Sequence, residues 1–279
     1  MAPEDQDKTT FTFSWGTYAY WVLPFGLCND PATFQRAVLG IFSDLIHECV
    51  EAYMDDFIVY GNTFEETLES LEKFLKRCKE TNLPLSHEKC FMMFTKGIVL
   101  WHHISRDGIK VDKSKVEVIS KLSIPNFQRD VRSFVGFTGY YRRFIENFTK
   151  IASPLFKLLT KDCEFSWNPD CQLAFETLKE KISEAPILRG PNWNLPFHIS
   201  TDASNTALGA VLGQKYLIPY AIYYTSNNLT PTELNYTVTE KEFLVVVHAI
   251  NKFRHYITGY ETFVHTDHST IRYLMNTDY

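Results

Sequence analysis

Two kinds of hydrophobic pattern alternate along the chain. Short apolar runs of strand length alternate with longer segments in which apolar residues recur every three or four positions, the spacing of amphipathic helices. The clearest strand pair is at residues 50–54 and 57–60. Because only Asp55 and Asp56 separate these runs, the pattern predicts a hairpin with both acids at its tip.

Helices are predicted on both sides of this hairpin. Asp30 can cap the first helix, and Pro31 suits its first turn. Thr63 and Glu66 form a capping box for the second. The buried stripe expected for this second helix is Phe64, Leu68, Leu71, Leu75 and Cys78. Strands and helices in this order predict an α+β layer.

Further strand pairs are predicted outside these helices. Residues 9–13 alternate in polarity and are followed by a turn at 15–18 and a second strand at 19–23. Residues 91–94 and 98–104 are also strand-like, with Lys96-Gly97 as the turn between them.

The second half begins with helices and ends with strands. Asn168-Pro169 starts a helix whose expected buried stripe is Cys171, Phe175, Leu178 and Ile182. Three strands, a long helix and a fourth strand follow, at residues 197–201, 207–212, 218–224, 239–257 and 262–266. The buried stripe expected for the long helix is Phe243, Val246, Val247, Ile250 and Phe253.

Composition describes an ordinary globular protein, with 279 residues, 45% of them hydrophobic and 22% charged. This length suits two or three domains. There is no apolar run of about 18 residues, and the charged N-terminus does not resemble a signal peptide. We therefore expect an intracellular protein, cytoplasmic or nuclear, that is neither secreted nor inserted in a membrane. The six cysteines include no CxxC pair, which argues against a zinc site.

Charge is unevenly distributed. The net charge of −5 argues weakly against a nucleic-acid partner. Residues 106–161, however, hold 12 Lys+Arg against 5 Asp+Glu. A solvated helical surface and a surface that contacts phosphates both fit this basic middle.

The paired acids allow two interpretations. An aspartate at a hairpin tip is commonly turn chemistry, because Asp tolerates unusual backbone angles. Adjacent carboxylates on a rigid hairpin also suit Mg²⁺, whose remaining ligands are waters and substrate phosphates.

Several short motifs, taken in order, resemble one family. They are Pro24-Phe25-Gly26-Leu27-Cys28-Asn29, Pro31-Ala32-Thr33-Phe34-Gln35-Arg36, Tyr53-Met54-Asp55-Asp56, Glu88-Lys89-Cys90 and Gly139-Tyr140-Tyr141-Arg142-Arg143. Together they resemble the reverse transcriptase of gypsy-type retrotransposons, and Glu4-Asp5-Gln6-Asp7 looks most like the plant elements. The resemblance covers nearly the whole chain.

For the first half, this resemblance implies polymerase chemistry. Asp55 and Asp56 would lie in the palm and hold two Mg²⁺ ions, or Mn²⁺ in their place, for transfer of a nucleotide to the primer. Residues 97–104 would contact the primer. The residues expected to face the incoming dNTP and the template are Pro24, Phe25, Gly26 and Gln35.

In the second half, three acids stand at the ends of predicted elements: Asp202, Glu242 and Asp267. Each alone would be taken for a cap or a surface acid. Their surroundings resemble the ribonuclease H domain of the same elements, which implies that they hold Mg²⁺ and direct a water at an RNA phosphodiester. We assign the role to Glu242 rather than Glu240, because Glu242 shares a helix face with Val246.

The expected fold is α+β, a partial palm and thumb of a right-hand polymerase followed by a connection and an incomplete ribonuclease H-like α/β domain. The expected divisions are 1–105 for fingers and palm, 106–190 for thumb and connection, and 191–279 for the ribonuclease H-like domain. The expected partners are an RNA/DNA hybrid, primer-template nucleic acid, dNTPs and the remainder of a Pol polyprotein.

Two alternatives remain open. The family carries a third palm aspartate upstream of Glu4 and a fourth ribonuclease H acid beyond Tyr279, so we expect a chain truncated at both ends. Trp101 stands where the family carries glycine. Both departures favour a catalytically inactive remnant that at most binds nucleic acid. The other alternative is an unrelated α+β protein whose acids are turns and caps.

Overall fold

A computed structural model describes residues 1–24, 26–161 and 163–275. The chain forms two compact units, Met1–Phe94 and Thr95–Tyr279. The elements of the first unit are α1 (Pro3–Gln6), β1 (Phe11–Phe13), β2 (Gly16–Tyr18), α2 (Asp30–Ile41), β3 (Val50–Tyr53), β4 (Asp56–Val59) and α3 (Phe64–Glu80). Those of the second are β5 (Gly97–Val99), β6 (His102–Ser105), β7 (Gly108–Val111), α4 (Lys113–Ser120), α5 (Gln128–Tyr140), α6 (Phe148–Lys157), α7 (Pro169–Ser183), β8 (Phe197–Ala203), β9 (Ala207–Lys215), β10 (Pro219–Asn228), α8 (Val238–Ile257), β11 (Thr262–His265) and α9 (Ser269–Met275).

The core of the first unit lies where α2, α3 and the β3–β4 hairpin meet. Phe42 is 0% exposed, and its ring centroid lies 5.4 Å from that of Phe57 and 5.1 Å from that of Phe74. The stripe predicted for α3 is partly wrong. Its buried residues are Ser70, Phe74 and Cys78, whereas three of the predicted residues, Phe64, Leu68 and Leu75, are exposed. The apolar residues of α3 form one stripe, and contact with Phe42 and Phe57 buries only the edge of that stripe that carries Phe74 and Cys78.

The β3–β4 hairpin forms as predicted, with its register shifted by one residue. Tyr53 pairs with Asp56, so the tip consists of Met54 and Asp55, and Asp56 begins β4. Met54 adopts a left-handed backbone with φ of 53°. This conformation closes the turn one residue earlier than the distribution of acids suggested.

Two other strand predictions in the first unit are wrong. The N-terminal hairpin pairs Phe11 with Tyr18, so its second strand is Gly16–Tyr18 and not residues 19–23. Residues 91–94 form no strand and expose their side chains. Within the described residues no strand is hydrogen-bonded beside them, and an apolar run becomes a strand only where a neighbour satisfies its backbone.

The second unit opens with a hairpin that has an unusual turn. Val99 pairs with His102, which places Leu100 and Trp101 at the tip with φ of 44° and 60°. The predicted turn at Lys96-Gly97 is therefore wrong, since Gly97 begins β5. Left-handed backbone costs a residue with a side chain roughly 1–2 kcal/mol. Contacts from elsewhere in the unit must hold this turn.

A close backbone contact joins β7 to the segment after α7. Ile109 N donates to Leu188 O at 2.8 Å, and Leu188 N donates to Ile109 O at 3.0 Å. Gly108 has φ of 128°, and a Cβ at this position would lie 2.3 Å from Leu188 O. Only glycine fits this approach.

The helices of the second unit bury a large core beside this contact. The residues predicted for α7 are all buried, which confirms that stripe: Cys171, Phe175, Leu178 and Ile182. They pack with residues from α5 and α6, among them Val131, Phe134, Phe148, Ala152 and Leu155.

The last part of the unit is a sheet covered by α8. Its strand order is β10-β9-β8-β11, with β11 parallel to β8 and the other pairs antiparallel. The stripe predicted for α8 is wrong in part, since Phe243, Val247 and Ile250 are exposed. The buried face is Lys241, Glu242, Val245, Val246, Ala249 and Phe253. Apolar residues surround most of this helix, so periodicity alone could not identify the side that meets the sheet.

The helical middle and the sheet contact each other within the second unit. Thr149 N donates to the Ser226 hydroxyl at 3.0 Å, and the Arg143 guanidinium lies 4.7 Å from the centroid of the Tyr223 ring. The domain divisions at 105/106 and 190/191 stay predictions. A membrane-crossing length of apolar helix is not found in the described parts of the chain.

Candidate functional sites

The first candidate site is the tip of the β3–β4 hairpin. Asp55 and Asp56 are adjacent and exposed, with Asp55 in the turn and Asp56 at the start of β4. The side-chain amide of Gln35, on α2, lies against this tip: Nε2 donates to Ala52 O at 3.2 Å, and Oε1 accepts from Met54 N. Gln35 therefore holds the backbone that carries both acids.

Among the other residues predicted to face nucleotide or template, Pro24 is half-buried in a loop. Gly26 has φ of 98°, and among the described residues, its two chain neighbours apart, no atom lies within 4 Å of the position its Cβ would occupy. The loop therefore leaves open space at Gly26. Phe25 lies outside the described residues.

The second candidate site combines the end of β8, the first turns of α8 and the segment after β11. Asp202 and Asp267 are exposed, whereas Glu242 is 5% exposed. Glu242 Oε1 accepts from Ala203 N at 3.3 Å, and its buried Oε2 has no hydrogen-bond partner. Burial raises the pKa of Glu242, and the charges of Asp267 and Asp202 add to this effect.

The neighbouring Glu240 has a different function in the fold. Its carboxylate accepts from Thr237 N at 2.7 Å in the capping box of α8, and these hydrogen bonds lower its pKa. The expectation that Glu242, and not Glu240, turns towards the sheet is thus confirmed. Its catalytic role stays a prediction.

Sequence reasoning missed two residues beside Asp202. Asn147 and Lys150 line a depression together with Asp202, Ser204 and Gly209. Gly209 pairs with Asp202 across the sheet, and a Cβ on Gly209 would lie 2.6 Å from Asn147 Oδ1. The only sequence signal for Lys150 was its membership of the basic middle.

The donor atoms of the second site fit a divalent cation. Carboxylate oxygens are the ligands that Mg²⁺ prefers, and the orphaned Oε2 of Glu242 lacks the partner that a buried charged oxygen requires. Among the described residues, no three His, Cys, Asp or Glu side chains already form a metal-binding cluster. The first site offers two exposed carboxylates of the same chemistry.

Two protein families match this chain. Residues 1–139 match the reverse transcriptase family (RNA-dependent DNA polymerase), and residues 167–264 match the RNase H-like domain found in reverse transcriptase. Residues 1–139 thus correspond to a reverse transcriptase region and residues 167–264 to an RNase H-like domain.

The curated relatives identify the kind of protein in which this region occurs. The chain is 38% identical over 277 residues to the retrovirus-related Pol polyprotein from transposon 297 of Drosophila melanogaster, covering 99% of this chain and 26% of that protein. It is 30% identical to the transposon Tf2-3 polyprotein of Schizosaccharomyces pombe, covering 96% of this chain and 20% of that protein. The chain corresponds to a region of the Pol polyproteins of retrotransposons. It spans about a quarter or less of the length of these relatives.

Solved structures share the fold. A foamy viral protease-reverse transcriptase in complex with double-stranded DNA has a TM-score of 0.82 at 23% identity, covering 100% of this chain and 49% of that chain. The foamy viral protease-reverse transcriptase in complex with an RNA/DNA hybrid has a TM-score of 0.81 at 22% identity, covering 99% of this chain and 38% of that chain. The predicted α+β fold of a polymerase followed by a ribonuclease H-like domain is confirmed.

Proposed function

We propose that this chain performs the two-metal chemistry of a gypsy-type retrotransposon, related to those of plants: RNA-directed DNA polymerisation at the β3–β4 tip and RNA hydrolysis beside α8. The observation that carries the proposal is Glu242. A buried carboxylate oxygen without a partner destabilises the fold. Its retention between Asp202 and Asp267 is explained if a cation binds there.

At the polymerase site, Asp55 and Asp56 would hold Mg²⁺ or Mn²⁺. When bound, such ions activate the primer 3′-hydroxyl and neutralise the leaving pyrophosphate. Gln35 fixes the turn that presents both acids. The open space at Gly26 would leave room for the incoming dNTP, which Pro24 and, by the family resemblance, Phe25 would also face.

At the nuclease site, Asp202, Glu242 and Asp267 would hold the ions and bring the scissile phosphate of the RNA strand to them. Lys150 stands beside Asp202 and supplies a positive charge for the backbone. The substrates would be a primer-template and an RNA/DNA hybrid, handled in the cytoplasm or nucleus as part of a Pol polyprotein.

The alternative is a catalytically inactive region that at most binds nucleic acid. Its support is the charge of residues 106–161, which hold 12 Lys+Arg against 5 Asp+Glu. Basic residues of the middle segment would then be the functional feature.

Primer extension and hybrid cleavage, each with Mg²⁺ and with Mn²⁺, test the proposal. Asp55→Asn should abolish extension and leave cleavage, whereas Asp202→Asn should do the reverse, because each removes a ligand from one site only. Asp7→Asn, which removes an exposed acid of the N-terminal tail, is the control for charge and should change neither. If the unaltered chain shows no activity above these variants, the inactive alternative replaces the proposal, and salt-dependent binding of a hybrid then tests that alternative.

A further inference from the structure

The strained turn at the tip of the β5–β6 hairpin is held by three hydrogen bonds to two consecutive carbonyls. The Tyr140 hydroxyl donates to Leu100 O at 2.6 Å, and the Tyr141 hydroxyl donates to Trp101 O at 2.9 Å. His102 Nδ1 lies 2.7 Å from Leu100 O and must donate to it, because a carbonyl only accepts. Both tyrosines stand at the C-terminal end of α5, remote from the hairpin in sequence.

The turn could not keep this shape unaided. Leu100 and Trp101 both have positive φ, a region that side chains disfavour and that glycine enters freely. The position and orientation of the tip therefore depend on what binds its carbonyls. Tyr140 and Tyr141 supply one hydroxyl to each.

The hydrogen bonds persist across neutral pH. Tyr141 is 3% exposed, and burial raises its pKa to about 12, so its hydroxyl keeps its proton. The His102 ring lies 5.2 Å from Tyr140 and 5.5 Å from Tyr141 between centroids, and burial lowers its pKa. Neutral His102 has one N–H, which the Leu100 carbonyl uses.

The outer side of the same turn presents a cation and an aromatic ring together. Trp101 is 55% exposed, and Lys115 Nζ lies 3.7 Å from the centroid of its ring. An exposed indole can stack on a base, and a lysine ammonium attracts phosphate. The locked carbonyls thus fix a surface suited to nucleic acid.

We infer that Tyr140 and Tyr141 are positioning residues, which hold the Leu100–Trp101 turn so that Trp101 and Lys115 contact the recessed 3′ end of a primer. This inference rests on the proposed polymerase function, in which the hairpin contacts the primer. The hydroxyls act through the carbonyls of the turn and do not themselves touch nucleic acid.

The test compares two fluorescein-labelled duplexes of equal length, one with a recessed 3′ end and one blunt, by fluorescence anisotropy with the full chain. Tyr140→Phe and Tyr141→Phe should each lower the preference for the recessed end about fivefold, the factor expected for one typical hydrogen bond, and leave blunt-duplex affinity unchanged. Tyr260→Phe is the matched control and should have no effect.

A double-mutant cycle separates positioning from general destabilisation. Trp101→Ala should remove the preference by itself, and Tyr141→Phe should then have no further effect, because the contact it positions is gone. If Tyr141→Phe weakens the binding of both duplexes equally, the role of Tyr141 is structural and the inference is overturned. The same holds if Tyr141→Phe weakens recessed-end binding as much in the Trp101→Ala background as in the unaltered chain.

The remaining outcomes distinguish the inference from the function on which it rests. If the unaltered chain prefers the recessed end and the Tyr140→Phe/Tyr141→Phe double variant keeps that preference, the inference falls and the proposed function stands. If the unaltered chain shows no preference for a recessed end, the primer contact is refuted. If it binds neither duplex, the proposed function falls as well.

Discussion

Replacing Glu242 by glutamine should make the metal-free protein more stable at neutral pH. Glutamine keeps an oxygen that can accept from Ala203 N and removes the charge from a side chain that is 5% exposed. The buried oxygen without a partner is then replaced by a neutral amide group, whose burial costs less than that of a carboxylate. Loss of repulsion from Asp202 and Asp267 acts in the same direction.

The expected gain is about 1–2 kcal/mol, within the cost of leaving a buried polar group unsatisfied. For a unit of this size that corresponds to a rise of roughly 2–8 °C in Tm. The gain depends on pH. In the folded protein the pKa of Glu242 is raised above its ordinary value of 4.5. The stability of the wild-type protein therefore falls as pH rises from 4.5 through this raised pKa, where Glu242 loses its proton. The advantage of Glu242→Gln should therefore shrink as pH is lowered, because wild-type Glu242, with its raised pKa, takes up a proton before an ordinary glutamate does.

The assay is thermal unfolding in EDTA from pH 4.5 to 8, with Glu240→Gln as the matched control two residues away. Glutamine at position 240 can still accept from Thr237 N, but it loses the negative charge that these hydrogen bonds and the N-terminus of α8 favour, so this change should lower stability slightly. The two variants should thus shift Tm in opposite directions. If Glu242→Gln destabilises the protein at pH 7, the buried carboxylate is not a source of instability and the reasoning fails.

Mg²⁺ should reverse the order if Glu242 is a ligand. A cation at a hundred times its dissociation constant stabilises the folded state by roughly 2.7 kcal/mol, which exceeds the gain expected for the variant, and only the wild-type chain would show this stabilisation. A Tm for wild type that does not respond to Mg²⁺ would contradict the metal site without affecting the prediction made in EDTA.

The remaining predictions concern packing and are measured by urea unfolding. Gly108→Ala should lower the free energy of unfolding by about 3 kcal/mol, because it forces left-handed backbone on alanine and breaks the hydrogen bonds to Leu188. Gly136→Ala, with open space in α5, should raise the free energy of unfolding by about 0.5–1 kcal/mol. Equal effects of the two would refute the close approach at Gly108. Phe42→Ala should lower the free energy of unfolding by about 3–5 kcal/mol. Leu39→Ala, at an exposed site in the last turn of α2, just before Phe42, should lower it by about 0.5 kcal/mol or less. Similar losses would show that Phe42 does not centre the core.

Sequence predicted those features that depend on short-range patterns. The acid hairpin is correct to within one residue, and the stripe of α7 is correct because its opposite side is polar. For α3 and α8 the helices were correct and the faces were not. The apolar stripe of α3 and the broad apolar surface of α8 are each wider than the face that is buried. Partners such as Phe42 and Phe197 decide which part is buried, and local spacing does not report them.

The contacts that organise the candidate sites carried no such pattern. The side chains of Gln35, Tyr140 and Tyr141 all bind backbone atoms of distant segments. Because every residue has the same backbone groups, the sequence of the segment that is bound does not indicate the contact. Glu242 was an exception, because the geometry of an α-helix alone relates its direction to that of Val246.

The parallel pairing of β8 with β11 has a consequence for the order of folding. The pairs β8–β9 and β9–β10 are antiparallel and join neighbouring segments, whereas Phe197 pairs with Thr262 only after α8 has been made and packed. Contacts of large sequence separation close late, because the entropy of the intervening loop must be overcome first. During synthesis, β11 leaves the ribosome after β8, β9, β10 and α8. We therefore expect Asp202 and Glu242 to come together before Asp267 joins them.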